Sequence, residues 1–286
     1  MLKRHEVQGH RIAGTSMSGM ATCITVPSMD LAFDMGCCPM EALSCRNVAI
    51  SHPHLDHIGS IVSHAATRHL MKAKPSRIIC HPDLVEPLEK LFQVFGDMQN
   101  QELPHSFLPL KPGDDGFKFA HVGNGDYLIK AFPGVHRIYS QGYVVYHVKP
   151  KLKAEYHGRK DIAELRAAGV DVLEEVESPE LAFVGDSEVA VLDENPVLRE
   201  VNVLIMESTF VDEKISSEFA GVRGHTHLKE LVERADVLKN NAIVLMHFSA
   251  RYHEDDIKRA VKELPDSLRD RVIPLLDGMK RGFAAS

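Results

Sequence analysis

Short apolar runs punctuate the chain at residues 21–26, 47–50, 77–80, 127–132, 142–148, 181–184, 201–206, 242–246 and 271–275. Runs this short, bounded by polar and turn-forming residues, predict buried strands. Between them, apolar positions recur at helical spacing over 58–72, 82–95, 161–168, 227–238 and 254–264, which predicts helices interleaved with the strands. The alternation persists through both halves, with no low-complexity tract, short-period repeat or Gly/Ser linker to mark a boundary. The expectation is one α/β domain over residues 1–286, with helices packed outside stacked sheets. His52, Asp186, Glu207 and His247 each come just after a predicted strand, where a rigid scaffold can present reactive side chains.

Composition narrows the class. With 44% hydrophobic and 26% charged residues in 286, the chain can fill a sizeable core and carries no signature of disorder. No run approaches the ~18 consecutive apolar residues of a membrane span, and the N-terminus lacks a secretory apolar stretch. A soluble intracellular protein is expected, in the cytoplasm or the nucleus, with no membrane partner. The cysteines (Cys23, Cys37, Cys38, Cys45, Cys80) are odd in number and form no C-x-x-C pair, which argues against a disulfide framework and a thiolate zinc site. A formal charge of -7 argues against a non-specific grip on nucleic acid, leaving only a local basic patch for that purpose.

The chemistry concentrates in His52-x-His54-x-Asp56-His57, which places imidazoles and a carboxylate at the end of the strand at 47–50. Imidazole nitrogen suits zinc and similar divalent ions, and carboxylate adds charge neutralisation. In an extended stretch, residues two apart point the same way. His52 and His54 can therefore grip one ion, while the turn into the next helix directs Asp56 and His57 to a second. Further ligands must come from afar, and the candidates are His136, Asp186 and His247. A carboxylate such as Asp186 can bridge two ions.

H-x-H-x-D-H followed by distant His, Asp and His resembles the metallo-β-lactamase superfamily. Segments 51–59, His136-Arg137, Gly185-Asp186-Ser187, Glu207-Ser208-Thr209-Phe210, Gly224-His225 and His247-Phe248-Ser249-Ala250-Arg251-Tyr252 look like its ribonuclease Z branch, the endonucleases that mature transfer RNA 3′ ends. Segments 141–146 and 151–156 resemble the short eukaryotic form known from plants. The resemblance implies a four-layer αββα sandwich, the metallo-β-lactamase fold, with metals at one edge. It implies two Zn²⁺ per chain, with Mn²⁺ or another divalent ion as the alternative. His52, His54 and His136 would hold one ion, Asp56, His57 and His247 the other, and Asp186 both. Asp56 would also steer the attacking hydroxide, and His225, oriented by Glu207, would protonate the leaving oxygen. On residue type alone, Glu207 is equally an ordinary strand-end acid and His225 a polar residue at a helix start.

Lys149, Lys151, Lys153, Arg159 and Lys160 form the densest basic segment, within 149–175, where the family carries an arm that grips transfer RNA. A solvated charged face fits the same composition, and the long Gly-Pro-rich insertion of the bacterial arm is missing. Arg251 can bind a phosphate or form a structural salt bridge. Residues 14–19 resemble the family's opening loop and fit an ordinary strand connection equally well. The expected substrate is precursor tRNA, cut by removal of its 3′ trailer, and the resemblance implies a homodimer. A small-molecule phosphodiesterase or esterase on the same scaffold, a mononuclear iron persulfide dioxygenase and a metal-stabilised RNA-binding module without turnover are the alternatives. A flavo-diiron enzyme fits less well, since it places Glu where this chain has His54.

Overall fold

The computed structural model describes residues 2–120, 125–277 and 279. One sheet runs in chain order through β1 (His5–Val7), β2 (His10–Ser18), β3 (Ala21–Val26), β4 (Leu31–Phe33), β5 (Asn47–Ala49), β6 (Ser76–Cys80) and β7 (His105–Pro109). The other is built from β8 (Phe117–Ala120), β9 (Asp126–Pro133), β10 (Gln141–Leu152), β11 (Leu173–Phe183), β12 (Val203–Glu207), β13 (Ala242–Met246) and β15 (Val272–Pro274), in the order β15-β13-β12-β11-β10-β9-β8. The short β14 (Phe248–Ser249) crosses over to pair with β2 in the first sheet. Each sheet begins as an antiparallel meander and ends in parallel strands, β4 to β7 in one and β11, β12, β13 and β15 in the other.

The continuous apolar runs follow from burial on both faces, as expected of parallel strands. In β12, Val203 and Ile205 face the space between the sheets, whereas Leu204 and Met206 face the outer helices; β13 alternates likewise with Val244 inward and Leu245 outward. Phe33 of the first sheet stacks on Phe183 of the second with ring centroids 4.6 Å apart, joining the facing layers. After β5 come α1 (Leu55–Ile58), α2 (Ile61–Leu70) and α3 (Pro82–Gln99); Ile61, Val62, Ala65, Leu88 and Phe92 of the latter two cover Val48, Ile50 and Ile78. The helix α4 (Ile162–Ala167) lies between β10 and β11. Beyond β11 follow α5 (Val191–Glu194), α6 (Ser217–Val222), α7 (Leu228–Val232), α8 (Glu254–Lys262) and α9 (Asp266–Arg269), from which Leu192, Leu228, Leu231, Ile257 and Leu268 cover the second sheet. The chain thus adopts the four-layer αββα sandwich.

One predicted helix and two predicted strands differ in extent. The helix predicted over 227–238 is α7 alone, because past Glu233 the bonds tighten to i+3 spacing (Ala235 to Val232, Val237 to Arg234). The predicted strands 142–148 and 181–184 are the inner halves of a longer hairpin. β9 leaves β10 at Val148, and β12 pairs only with Leu181–Phe183 of β11. Residues 149–152 and 173–176 therefore continue as a two-stranded ribbon capped by α4.

His64 of α2 is fully buried and neutral by geometry. Its Nε2–H is shared by the carbonyls of Ala42 and Cys45, and Ser76 Oγ donates to Nδ1. Burial pushes its pKa down to about 4, and Arg68 opposes the charge further. A folded pKa below the unfolded value means full stability above the unfolded pKa, lost as pH falls from there through the folded value; the drop is worth about 3 kcal/mol. In urea unfolding across a pH series, wild type should lose stability relative to His64→Gln between pH 6.5 and about 4. Parallel curves for the two proteins would contradict this assignment.

Candidate active site

Parallel strands of both sheets end at one edge of the sandwich, and the ionisable residues of the motifs stand at those ends. Asp34 follows β4, Ser51 to His54 follow β5, Asp186 follows β11, Glu207 closes β12 and His247 follows β13. Loops over the carboxyl ends of parallel strands are where α/β folds gather ligands. His54 is still extended and caps α1, whose turn carries Asp56 and His57. Gly36 lets α1 approach this closely, since a Cβ there would lie 1.7 Å from the Asp56 carbonyl oxygen.

Three groups of ligand atoms result, each within 4.8 Å: His52, His54, His136 and Asp186; Asp56, His57 and His247; and Asp186, His225 and His247. Asp186 stands between the first two groups. Its Oδ2 lies 3.8 Å from His52 Nε2, and its Oδ1 lies 3.3 Å from both His57 Nε2 and His247 Nε2. Asp56 Oδ2 lies 3.5 Å from His57 Nε2 and 3.6 Å from His247 Nε2, and it accepts a 2.8 Å hydrogen bond from the Gly19 N–H. Residues 14–18 of the expected opening loop are part of β2, and Gly19, in the turn into β3, is more than a strand connection because its N–H fixes Asp56.

Each buried imidazole is aimed by its other nitrogen. His52 Nδ1 meets Ser51 Oγ at 2.9 Å, His57 Nδ1 donates to Asp34 Oδ2 at 2.7 Å, His136 Nδ1 donates to the Gly224 carbonyl at 2.7 Å, and His247 Nδ1 lies 3.1 Å from Thr209 Oγ1. Such partners set tautomer and ring orientation in metal sites. Asp34 governs both groups, since it also accepts from Ser51 N and Ser51 Oγ.

The donor set passes a test for divalent ions. Among the described residues, Nε2 of His57, His136 and His247 and Oδ1 of Asp186 are buried without a hydrogen-bond partner. A buried polar atom left unpaired costs about 1–3 kcal/mol, a large share of the ~5–15 kcal/mol that holds a domain together. The electrostatics agree. Burial alone would raise the Asp186 carboxyl, yet His247 and His57 hold it well below its usual range; burial likewise opposes, and His247 and His57 overcome, the ionisation of Asp56. Burial lowers the His57 pKa, but Asp186 and Asp34 raise it well above its usual value. His52 is pushed down to about 2 by burial and by His57, and its Nε2 lies 2.9 Å from His54 Nδ1.

Beside this cluster, Glu207 is wholly buried and saturated. Oε1 accepts from Ser187 N at 2.8 Å and from His225 Nδ1 at 2.8 Å, and Oε2 accepts from Thr209 Oγ1 at 2.5 Å and from Thr226 N at 3.1 Å. One carboxylate thereby orients both His225 and, through Thr209, His247. Burial lowers the His225 pKa, but Glu207 outweighs it and raises it to about 9, so His225 carries a proton at neutral pH.

Arg251 lines an open cavity of about 550 Å³ shared with His54, His136 and His225, whereas no residue of the basic segment does. Within 149–175 the bases Lys149, Lys151, Lys153, Arg159, Lys160 and Arg166 are matched in number by Glu155, Asp161, Glu164, Asp171, Glu174 and Glu175. Lys153 pairs with Asp171 and Arg159 with Asp161, while Lys149, Lys151 and Lys160 have no ion pair among the described residues. Motif reading missed Asp34, and it included Ser51 and Thr209 in its segments without giving either a role. Asp34 could have been found from the apolar Leu-Ala-Phe that precedes it, had that short run been read as a strand.

This fold, with this cluster at its edge, defines a class. A family model described as a beta-lactamase superfamily domain matches residues 39–248, and the chain belongs to that superfamily and, within it, to the tRNase Z (ribonuclease Z) family. It is 41% identical to tRNase Z TRZ1 of Arabidopsis thaliana over 280 residues, covering 96% of this chain and 98% of that one. It is 36% identical to the chloroplastic tRNase Z TRZ2 of the same plant, covering 98% of this chain and 78% of the other. The crystal structure of human tRNase Z, short form, superposes with a TM-score of 0.54 at 18% identity, over 94% of this chain and 91% of that one, and so shares the fold.

Because Asp34 aims His57 directly and His52 through Ser51, Asp34→Asn should weaken divalent-ion binding roughly 10- to 100-fold. Competition against a chromophoric chelator measures this; unchanged affinity in a folded variant would contradict the orienting role.

Proposed function

We propose that this chain is an endoribonuclease that removes the 3′ trailer from precursor tRNA, with two zinc ions as its native metals. The observation that carries the reading is the convergence of two ligand groups on Asp186 next to the Glu207–His225 pair. His52, His54 and His136 would hold one ion, Asp56, His57 and His247 the other, and Asp186 both. Bound there, divalent ions supply charge neutralisation at the scissile phosphate and acidify a water. Asp56, fixed by Gly19, orients the nucleophile. His225 has Nδ1 committed to Glu207, which leaves Nε2 to donate a proton to the leaving 3′ oxygen. Arg251 contacts the phosphate backbone from the cavity wall. A mononuclear iron oxygenase fits less well, because one ion would leave the second group's buried nitrogens unpartnered.

The ribbon at 149–175 is the proposed tRNA-binding arm, with Lys149, Lys151 and Lys160 free for phosphates and Lys153 and Arg159 bracing its turns. Its direction supports the homodimer. β10 starts beside the metal cluster, where Gln141 N donates to the Ser51 carbonyl, and runs away from it for roughly 35 Å. The arm thus leaves the edge opposite its own site and serves a second copy's site. At that same far edge α2 and α3 end, with Leu70, Met71, Val94, Phe95 and Met98 exposed. No helix among the described residues is long and apolar enough to cross a membrane, and the proposed compartment is the cytoplasm or the nucleus.

On a precursor tRNA with divalent metal, His225→Ala and Glu207→Gln should each lower kcat about 10²- to 10⁴-fold, and Asp56→Ala should abolish cleavage. Wild-type rates in all three variants would sink the assignment. Light scattering should give twice the 31.8 kDa chain mass for wild type, and the chain mass for Phe95→Glu combined with Met98→Glu. A monomeric wild type would remove the dimer.

A further inference from the structure

The cavity beside His225 contains more than the catalytic residues. Its wall includes Arg137, Arg223 and Arg251 together with Phe210 and Phe219. None of the three guanidinium groups has a carboxylate partner among the described residues, although the chain as a whole is acidic, with a formal charge of -7. Buried or clustered cations without counter-ions mark a site for an anion. Two of them lie against aromatic rings: Arg223 Cζ is 5.2 Å from the Phe219 centroid and Arg251 Cζ is 5.3 Å from that of Phe210. Phe210 and Phe219 meet edge to face at 6.0 Å, and Phe210 stands 6.5 Å from the His225 ring. Phe219 is 40% exposed, a large apolar ring left open to the cavity.

The segment that carries this wall is tied to the catalytic residues. α6 bears Phe219 and ends at Arg223; the next residue, Gly224, accepts the His136 Nδ1–H through its carbonyl, and His225 follows. Gly224 has φ +76, and a Cβ there would lie 2.7 Å from His136 Nδ1, so the contact needs glycine. A ligand gripped by Phe219 and Arg223 is therefore held in fixed register with His136 and His225.

We propose that Phe219 and Arg223 form a subsite for the nucleotide whose 3′ oxygen is the leaving group. The base stacks on Phe219, and Arg223 takes the 5′ phosphate of the same nucleotide. The side of the reaction follows from His225. The group that protonates the leaving oxygen must adjoin the nucleoside bearing it, and Phe210, which stands 6.5 Å from the His225 ring, links that ring to Phe219. This rests on the endonuclease reading for its natural substrate. The cavity volume of about 550 Å³ suits one nucleotide, so the subsite recognises an unpaired residue rather than a duplex.

Two readouts test it. On precursor tRNAs that differ only in the base 5′ to the scissile bond, Phe219→Ala should lose roughly tenfold in kcat/KM, within the range of a lost base–aromatic stack, and should flatten any preference of purine over pyrimidine; Phe219→Tyr should restore both. Arg223→Gln should reduce the steepness with which kcat/KM falls with salt. Independently of tRNA, adenosine 5′-monophosphate should inhibit hydrolysis of bis(4-nitrophenyl) phosphate, with an inhibition constant raised about tenfold by Phe219→Ala and not by Phe219→Tyr. Wild-type base preference and wild-type nucleotide inhibition in Phe219→Ala would overturn the subsite, as would equal losses on both substrates that Tyr fails to rescue. A wild type that cuts no precursor but keeps Phe219-dependent nucleotide inhibition would instead overturn the endonuclease reading and leave the subsite standing.

Discussion

The structure depends on buried nitrogen and oxygen atoms that crowd together without a hydrogen-bond partner. Nε2 of His57, His136 and His247 and Oδ1 of Asp186 converge with their other ring nitrogens already bonded, so rotation cannot satisfy them. Positive charge can. Asp186 and Asp34 raise the His57 pKa well above its usual value against the effect of burial, so the surroundings of this ring favour positive charge. Two divalent ions would meet the same demand and satisfy more of the lone pairs.

The rest of the fold serves to hold those atoms in place. Parallel strands from two sheets deliver their ends to one edge, and the residues just past two of them, Asp34 and His247, adopt positive φ of 56° and 60°. Left-handed backbone at non-glycine positions persists when neighbours over-determine it. Asp34 is held by Ser51 and His57, and His247 by Ser16 Oγ, which accepts from its N–H, and by Thr209 Oγ1 beside its ring Nδ1. Glu207 joins this network to His225, which makes the proposed proton donor and His247 parts of a single hydrogen-bonded unit. Tyr143 ties the sheets together beneath it, donating across to the Ile50 carbonyl at 2.6 Å.

Much of this was legible in the sequence because the signals are local. The H-x-H-x-D-H run, the strand ends bearing Asp186 and His247, and the doubly buried runs at 203–206 and 242–246 announce themselves by residue type and position. What escaped reading depends on contacts distant in sequence. Gly19 and Asp56 are far apart in the chain, yet one amide fixes the other's carboxylate. The basic segment is visible in sequence because its lysines are close together, but which of them are paired is not. Lys153 and Arg159 are taken up by Asp171 and Asp161, while Glu175, on the return strand, is held instead by Lys118 of β8. Phe219 and Arg223 belong to no motif, and only the contact of Gly224 with His136 sets them beside the cluster.

Membership of the tRNase Z family points to hydrolysis at phosphorus, and the proposed reaction requires the two ligand groups to be separate ion sites with Asp186 between them. Elemental analysis of the chain purified without added metal or chelator measures their occupancy. About two zinc-type divalent ions per chain are expected, falling to about one in His136→Ala. A single iron per chain, or two-ion content unchanged when His136 is removed, would contradict it.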